Sequence, residues 1–183
     1  MSAASVDSIV ALYDNYGIEK YDEEVSQLAH ALQCAALAKH ENASDELIVA
    51  ALLHDIGHLF EIERNNGPDY RTDLRHELSG SEFLRELFPQ SVIAPIAMHV
   101  DAKRYLAATE PDYYDALSHG SKRSLELQGG PYSERECVAF LERDGSADAI
   151  SLRRWDDHGK VLDLEVPTFE TWIPLLHELA TSS

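Results

Sequence analysis

Two histidines and an aspartate stand inside an apolar run, Leu52-Leu53-His54-Asp55-Ile56-Gly57-His58, led in by Ala50 and Ala51. On a helix, residues four apart share a face about one turn apart, so His54 and His58 would present their imidazoles together. An aspartate beside a histidine in such surroundings is costly to bury unless something pairs with it. A metal ion is the simplest partner, because it accepts a neutral imidazole and a carboxylate at once. The bland alternative is a capped helix end carrying two solvated histidines.

Other residues of the same chemistry are spread along the chain: His30, His76, His99 and Asp156. His30, set amid Leu28, Ala31, Leu32 and Ala35, would by itself read as a satisfied core histidine. Imidazole and carboxylate donors without a thiolate cluster suit iron, manganese or zinc rather than an iron–sulfur centre. One ion would need only His30, His54, Asp55 and Asp156. His76 and His99 exceed that need and suggest a second ion, with Asp55 as the shared bridge. Helical spacing says nothing about long-range approach, so the one-ion alternative stays open at this level.

The elements that must position these residues read as helices throughout. Apolar residues recur at helical spacing over Val6–Tyr16, ended by Gly17, and over Val25–His40. Ser44 is a plausible N-cap, with Asp45 and Glu46 favourably placed in the first turn. That helix is expected to run to about Phe60 and to hold the opening motif near its end. Glu61 to Arg75, with Asn65-Asn66-Gly67-Pro68, reads as loop. Helices are expected from His76 to Phe88, stopped by Pro89, and from Ser91 to Leu106, with Pro95 in its first turns. The latter presents His99 and, one turn on, Lys103. Short helices follow at Pro111–Leu117 and Ser121–Leu127. Ser133-Glu134-Arg135-Glu136 matches a capping box for a helix reaching Arg143. Asp148–His158 is another helix, stopped by Gly159. A last amphipathic segment lies between Thr168 and Ala180. Alternating β patterns are scarce, and neither repeat nor linker is evident. The expected fold class is all-α, in a single domain spanning residues 1–183.

Composition narrows the partners. Thirty-three acidic against fifteen basic residues leave a formal charge of −18. That field repels phosphate backbones and argues against nucleic acid. An anionic small substrate would need a local positive site, which a metal centre could help to supply. No apolar run approaches the roughly 20 residues of a membrane span, and the first residues lack the regions of a signal peptide. Cys34 and Cys137 make no disulfide framework, so a cytoplasmic chain with free thiols is expected.

The pattern His30, His54-Asp55 and Asp156 resembles the HD-domain superfamily, best known for metal-dependent phosphohydrolases. The likeness covers roughly Tyr21 to Lys160 and sharpens in several places. These are Ser26-Gln27-Leu28-Ala29-His30, the run around His54-Asp55, His99-Val100-Asp101-Ala102-Lys103-Arg104-Tyr105-Leu106, Gln128-Gly129-Gly130-Pro131 and Arg153-Arg154-Trp155-Asp156. Together they resemble the HD-domain mixed-valent diiron oxygenases that cleave the carbon–phosphorus bond of 1-hydroxyphosphonates. The resemblance implies an HD-domain helical bundle, two iron ions as an Fe(II)/Fe(III) pair, and O2 as co-substrate. One iron would be held by His30, His54, Asp55 and Asp156, the other by Asp55, His76 and His99. Substrate contacts would fall on His58, Lys103 and Arg153, with Ser124 and Gln128 nearby, and the products would be a carboxylic acid and phosphate. Those cations match the local positive patch that the charge balance demands.

One departure concerns the loop from Lys20 to Glu24. Members acting on 2-amino-1-hydroxyethylphosphonate carry a Tyr-x-x-Glu that covers the iron and reads the amine. Aligned on His30, its Glu falls on Glu23 but its Tyr falls on Lys20, with Tyr21 one residue away. A quaternary ammonium needs acidic or aromatic surroundings rather than a paired acceptor, and Tyr21, Glu23, Tyr16 and Asp14 could provide them. The expectation therefore leans to the 2-(trimethylammonio) substrate. An HD phosphohydrolase and a metal-retaining sensor module are the rival functions. Surface roles are expected for His40, His119, His158 and His177, and core packing for Cys34.

Overall fold

The computed structural model describes residues 4–20, 24–65 and 75–181, and these form helices with no strand beyond an isolated Lys20–Ser26 bridge. The helices are α1 (Val6–Tyr16), α2 (Gln27–His40), α3 (Asp45–Leu53), α4 (Ile56–Asn65), α5 (His76–Leu84) and α6 (Gln90–Thr109). They continue as α7 (Tyr113–Ala116), α8 (His119–Leu127), α9 (Glu134–Leu141), α10 (Ser146–His158) and, after a 3₁₀ turn at Phe169–Thr171, α11 (Ile173–Leu179). The fold is all-α, as its periodicity requires. None of these helices is long and apolar enough to cross a membrane.

Local chemistry sets the boundaries. Ser5, Ser26, Ser44, Ser118 and Ser133 each accept a backbone N–H in the first turn of the helix that follows, and Ser133 with Glu136 forms the expected capping box. Two expectations need correction. Residues 45–60 are not one helix: the chain turns at His54-Asp55, so α3 ends at Leu53 and α4 begins at Ile56. His54 and His58 are therefore not stacked on one helical face. The α4 helix also runs on to Asn65, through residues expected to be loop. Apolar spacing decides this, since Leu59, Phe60 and Ile62 are buried.

The core is built from α1, α2, α3 and α4 with the buried sides of α5, α6, α10 and α11. Seven consecutive residues of α3, Leu47 to Leu53, are buried, so this helix is enclosed all round rather than amphipathic. The α6 helix is the main scaffold, packing on α3, α5, α9 and α10. Pro95 sits one turn inside its start, where only one early hydrogen bond is forfeited. A smaller apolar cluster of Met98, Ala102, Phe140 and Ala149 ties α9 and α10 to it.

The α4–α5 crossing is close because both helices present glycine. A Cβ on Gly57 would lie 2.1 Å from the carbonyl oxygen of His76, and one on Gly80 would lie 3.2 Å from the Gly57 nitrogen. The contact is with backbone, which cannot yield without moving the start of α5. Gly57→Ala should thus cost about 1–3 kcal/mol. It should lower the urea midpoint with little change in slope. An unchanged midpoint would mean that the crossing relaxes freely.

Candidate metal centre

Five of the nine histidines are buried, namely His30, His54, His58, His76 and His99, and they lie together; His40, His119, His158 and His177 are exposed. The buried five come from α2, the α3–α4 turn, α4, α5 and α6. The turn at residues 54–55 is what sends them to different places. His54 meets His30, whereas His58 stacks on His76, with ring centroids 3.8 Å apart.

Hydrogen bonds fix the chemical state of three of these rings. The Nδ1 of His30 lies 2.8 Å from the Gly159 carbonyl, that of His54 lies 2.9 Å from Ala51, and that of His99 lies 2.8 Å from Ile96. A carbonyl can only accept, so each Nδ1 carries the proton and each Nε2 of a neutral ring carries a lone pair. Yet the Nε2 atoms of His30 and His54 stand 3.3 Å apart, and those of His76 and His99 stand 3.0 Å apart. In the first pair two lone pairs would face each other and repel unless a cation or an extra proton lies between them; in the second no carbonyl fixes His76, so a proton on its Nε2 or a cation serves. Burial favours neutral imidazoles and lowers the pKa of His54 and His99. Burial acts the same way at the other two but is outweighed, at His30 by Cys34 and by hydrogen bonds to Asp156 and Asp55, and at His76 by Asp55 and nearby glutamates, so both are pushed up. Each pair thus holds one imidazole that would take a proton where a metal could sit.

The carboxylates complete two donor sets. Asp55 Oδ2 is 3.5 Å from His30 Nε2 and 3.4 Å from His54 Nε2, while its Oδ1 is 3.3 Å from His76 Nε2 and 3.6 Å from His99 Nε2. Asp156 Oδ1 is 3.3 Å from His30 Nε2. Donors bound at about 2.1 Å to one ion are about 3.0 Å apart at right angles and about 3.4 Å at tetrahedral angles. These spacings fit an ion in each set, with one oxygen of Asp55 turned to each. Burial would raise the carboxyl of Asp55, but the surrounding imidazoles hold it well below the usual carboxylate range, so it is an anion ready to ligate. The thiol of Cys34 also lies among the donors of His30 and His54. Burial pushes its pKa up, and it donates to the Trp155 carbonyl at 3.5 Å.

Beside this centre lies a cluster of cations and hydroxyls. Lys103 Nζ donates to Ser124 Oγ at 2.7 Å, from α6 to α8. Arg153 forms ion pairs with Asp156 and Asp157, and its Nε donates to Tyr113 Oη at 3.2 Å. Its guanidinium is thus largely engaged in holding the carboxylates of its own helix. Gln128 ends α8, and its Oε1 is buried without a hydrogen-bond partner among the described residues. Arg104 supports the turn beyond it by donating to the Gly130 carbonyl at 2.8 Å, where Gly129 and Gly130 adopt positive φ. His58, 3.0 Å from Glu61 through Nδ1, lies on the other side of His76.

Most expected site residues are brought together here: His30, His54, Asp55, His76, His99 and Asp156, with His58, Lys103, Ser124 and Arg153 beside them. Tyr21 and Glu23 lie outside the described residues. Asp14 is exposed on α1, and the Tyr16 hydroxyl is 3.4 Å from Glu63, so neither faces the centre from a buried position. Sequence reasoning missed Tyr113, Ser121, Asp157 and Lys160. Only Lys160 carried a signal, four residues after Asp156, and the helix stop at Gly159 masked it.

Burial, reinforced by the charge of Arg153, pushes the Lys103 ammonium down to about 7. In the unfolded chain it would titrate near ~10.4. Between these values the unfolded chain binds the extra proton, so this group's contribution to stability rises with pH across that window. Below pH ~7 its cost is felt in full. Lys103→Met should therefore raise the Tm by several degrees at pH 6 and by less at pH 9, read by calorimetry. A lower Tm at pH 6 would show that the Ser124 bond outweighs the buried charge.

A model of the HD domain matches residues 24–140, which include His30, His54, Asp55, His76 and His99. Over 168 residues the chain is 44% identical to the hydroxymethylphosphonate dioxygenase of Gimesia maris, covering 91% of this chain and 84% of that protein. Over 175 residues it is 37% identical to the [1-hydroxy-2-(trimethylamino)ethyl]phosphonate dioxygenase (glycine-betaine-forming) of Leisingera caerulea, covering 95% and 89%. The chain therefore belongs to the HD-domain family, in the group that contains these two dioxygenases.

Proposed function

We propose that this protein is a diiron oxygenase that uses O2 to cleave the carbon–phosphorus bond of a short 1-hydroxyphosphonate, releasing a carboxylic acid and phosphate. The observation that carries this reading is the pair of facing imidazole couples spanned by Asp55, with one carboxylate oxygen toward each. A one-metal phosphohydrolase would use His30, His54, Asp55 and Asp156 and leave His76 and His99 without purpose. Two similar proteins named as phosphonate dioxygenases support the choice of reaction.

In this reading His30, His54, Asp55 and Asp156 hold one iron, and Asp55, His76 and His99 hold the other. The iron pair supplies oxygen binding and electron transfer, which no side chain here can provide. The chain's own part is positioning. The backbone carbonyls of Gly159, Ala51 and Ile96 lock His30, His54 and His99 in the ligating tautomer, and the enclosed α3 core keeps water from that side. Lys103, with Ser124 and Gln128 near it, binds the phosphonate oxygens. Arg153 keeps Asp156 in place beside it. Burial keeps His58 neutral, and its Nδ1–H donates to Glu61, so Nε2 is an acceptor for a substrate hydroxyl.

The substrate we favour is hydroxymethylphosphonate, the compound named for the more similar of the two relatives. Of the four residues expected to surround a quaternary ammonium, Asp14 is exposed, Tyr16 is directed to Glu63, and Tyr21 and Glu23 lie outside the described residues. The trimethylammonio and 2-amino compounds stand as the comparison substrates.

The test is phosphate release from iron-loaded protein, with and without O2, on all three compounds. Hydroxymethylphosphonate should yield equal amounts of formate and phosphate only when O2 is present. Release without O2, or from simple phosphate esters, would overturn the oxygenase in favour of a hydrolase. His76→Ala or His99→Ala should halve the iron content and abolish O2-dependent turnover. Full activity in either variant would refute the dinuclear assignment.

A further inference from the structure

Helix α3 stops at Leu53 inside the core, and a helix that stops leaves its last carbonyls without their usual N–H partners four residues on. Buried carbonyls of this kind need another donor. Two of them have one. The imidazole of His54 donates through Nδ1 to the Ala51 carbonyl at 2.9 Å. The Leu52 carbonyl accepts the hydroxyl of Tyr13 at 2.9 Å, from 39 residues away in the chain. Leu52 is fully buried and Tyr13 is 4% exposed, so this bond is sealed from bulk solvent.

Tyr13 is held rigidly for the task. Its ring lies against Phe169, with centroids 4.9 Å apart, and Ile9, one turn earlier on α1, is buried in the same core. Burial and the nearby charge of Asp55 push the hydroxyl up, so it keeps the proton it donates. In an unbroken helix the carbonyls of Ala51 and Leu52 would instead accept from Asp55 and Ile56. The two side chains thus occupy the acceptors that would draw residues 54–56 back into α3. The consequence falls on Asp55. One of its oxygens is turned to His30 and the other to His76, at a point where the chain has left the helix.

We propose that Tyr13 is a positioning residue of the metal centre: by capping the Leu52 carbonyl it holds the α3–α4 break in the form that lets Asp55 span both donor sets. It acts through the backbone and belongs to neither set. The number of ions that Asp55 spans rests on the diiron reading above; the cap does not.

The test is anaerobic titration of Fe(II) into the full-length, metal-free protein by calorimetry, read beside Tm. Tyr13→Phe keeps the ring and removes only the donor. Ile9→Val, a core truncation on the same helix, is the comparator for a purely structural loss. Both should lower the Tm by a few degrees. Tyr13→Phe alone should weaken the more loosely held ion about tenfold, and should diminish the electron paramagnetic resonance signal of the coupled Fe(II)/Fe(III) pair after one-electron oxidation. Wild-type affinity for both ions in Tyr13→Phe would overturn the proposal, as would an equal weakening in Ile9→Val. If the unsubstituted protein takes up one ion only, the diiron reading fails. The cap then stands if Tyr13→Phe weakens that ion to the same extent, and falls if it does not.

Discussion

The rest of the structure depends on two pairs of imidazoles that face each other through their Nε2 atoms, with one aspartate between them. In three of the four rings Nδ1–H donates to a backbone carbonyl, so the His30–His54 contact cannot be relieved by a tautomer flip without leaving a carbonyl unsatisfied. Between His30 and His54 only a cation or an added proton removes the repulsion. Buried positions usually exclude such arrangements, and their cost is accepted here on every helix that contributes. The folded chain is thus prepared for metal before any metal arrives.

This constraint explains features that packing alone would not require. The chain breaks between α3 and α4 at His54-Asp55, where an uninterrupted helix would have been simpler to build. The break separates His54 from His58 and places Asp55 so that its two oxygens face different histidine pairs. Glycine recurs where a ligand's backbone must come close: Gly57 beside the His76 carbonyl, and Gly159 beside Cys34 so that its carbonyl reaches His30. The ordinary core helices then hold these contacts still, since α3 is buried on all sides and α6 is braced by α3, α5, α9 and α10.

Charge is arranged in opposition to the whole. The protein carries −18 formally, yet Lys103, Arg153 and Lys160 gather beside the metal donors, and Lys103 and Arg153 are almost fully buried. Arg153 is neutralised by the carboxylates it holds, so it acts chiefly to fix Asp156 in place. The two lysines are set on serine hydroxyls of one helix, and Lys160 also lies 3.6 Å from Asp156. An acidic surface discourages polyanions in general.

Residue type and spacing were enough to mark out helices, caps and the buried polar residues that the fold brings together. Apolar periodicity, serine caps and the isolated polar residues His30, His54, Asp55, His76, His99 and Asp156 are local signals, because burying such groups without partners is unfavourable wherever the chain goes. What stayed illegible was long-range or depended on a balance between local options. The turn at residues 54–55 was hidden because every residue there tolerates helix, and only contacts from other helices break it. Tyr113, Ser121 and Lys160 carried little or no signal, since a tyrosine, a serine and a lysine in polar stretches are ordinary on a surface. Their roles arise from the packing of α7, α8 and the Gly159–Val161 segment against α2 and α10. The sequence by itself determined which groups could not remain unpaired; the tertiary structure decided which of them met, because approach between distant helices is set by the packing of the core and not by spacing along the chain.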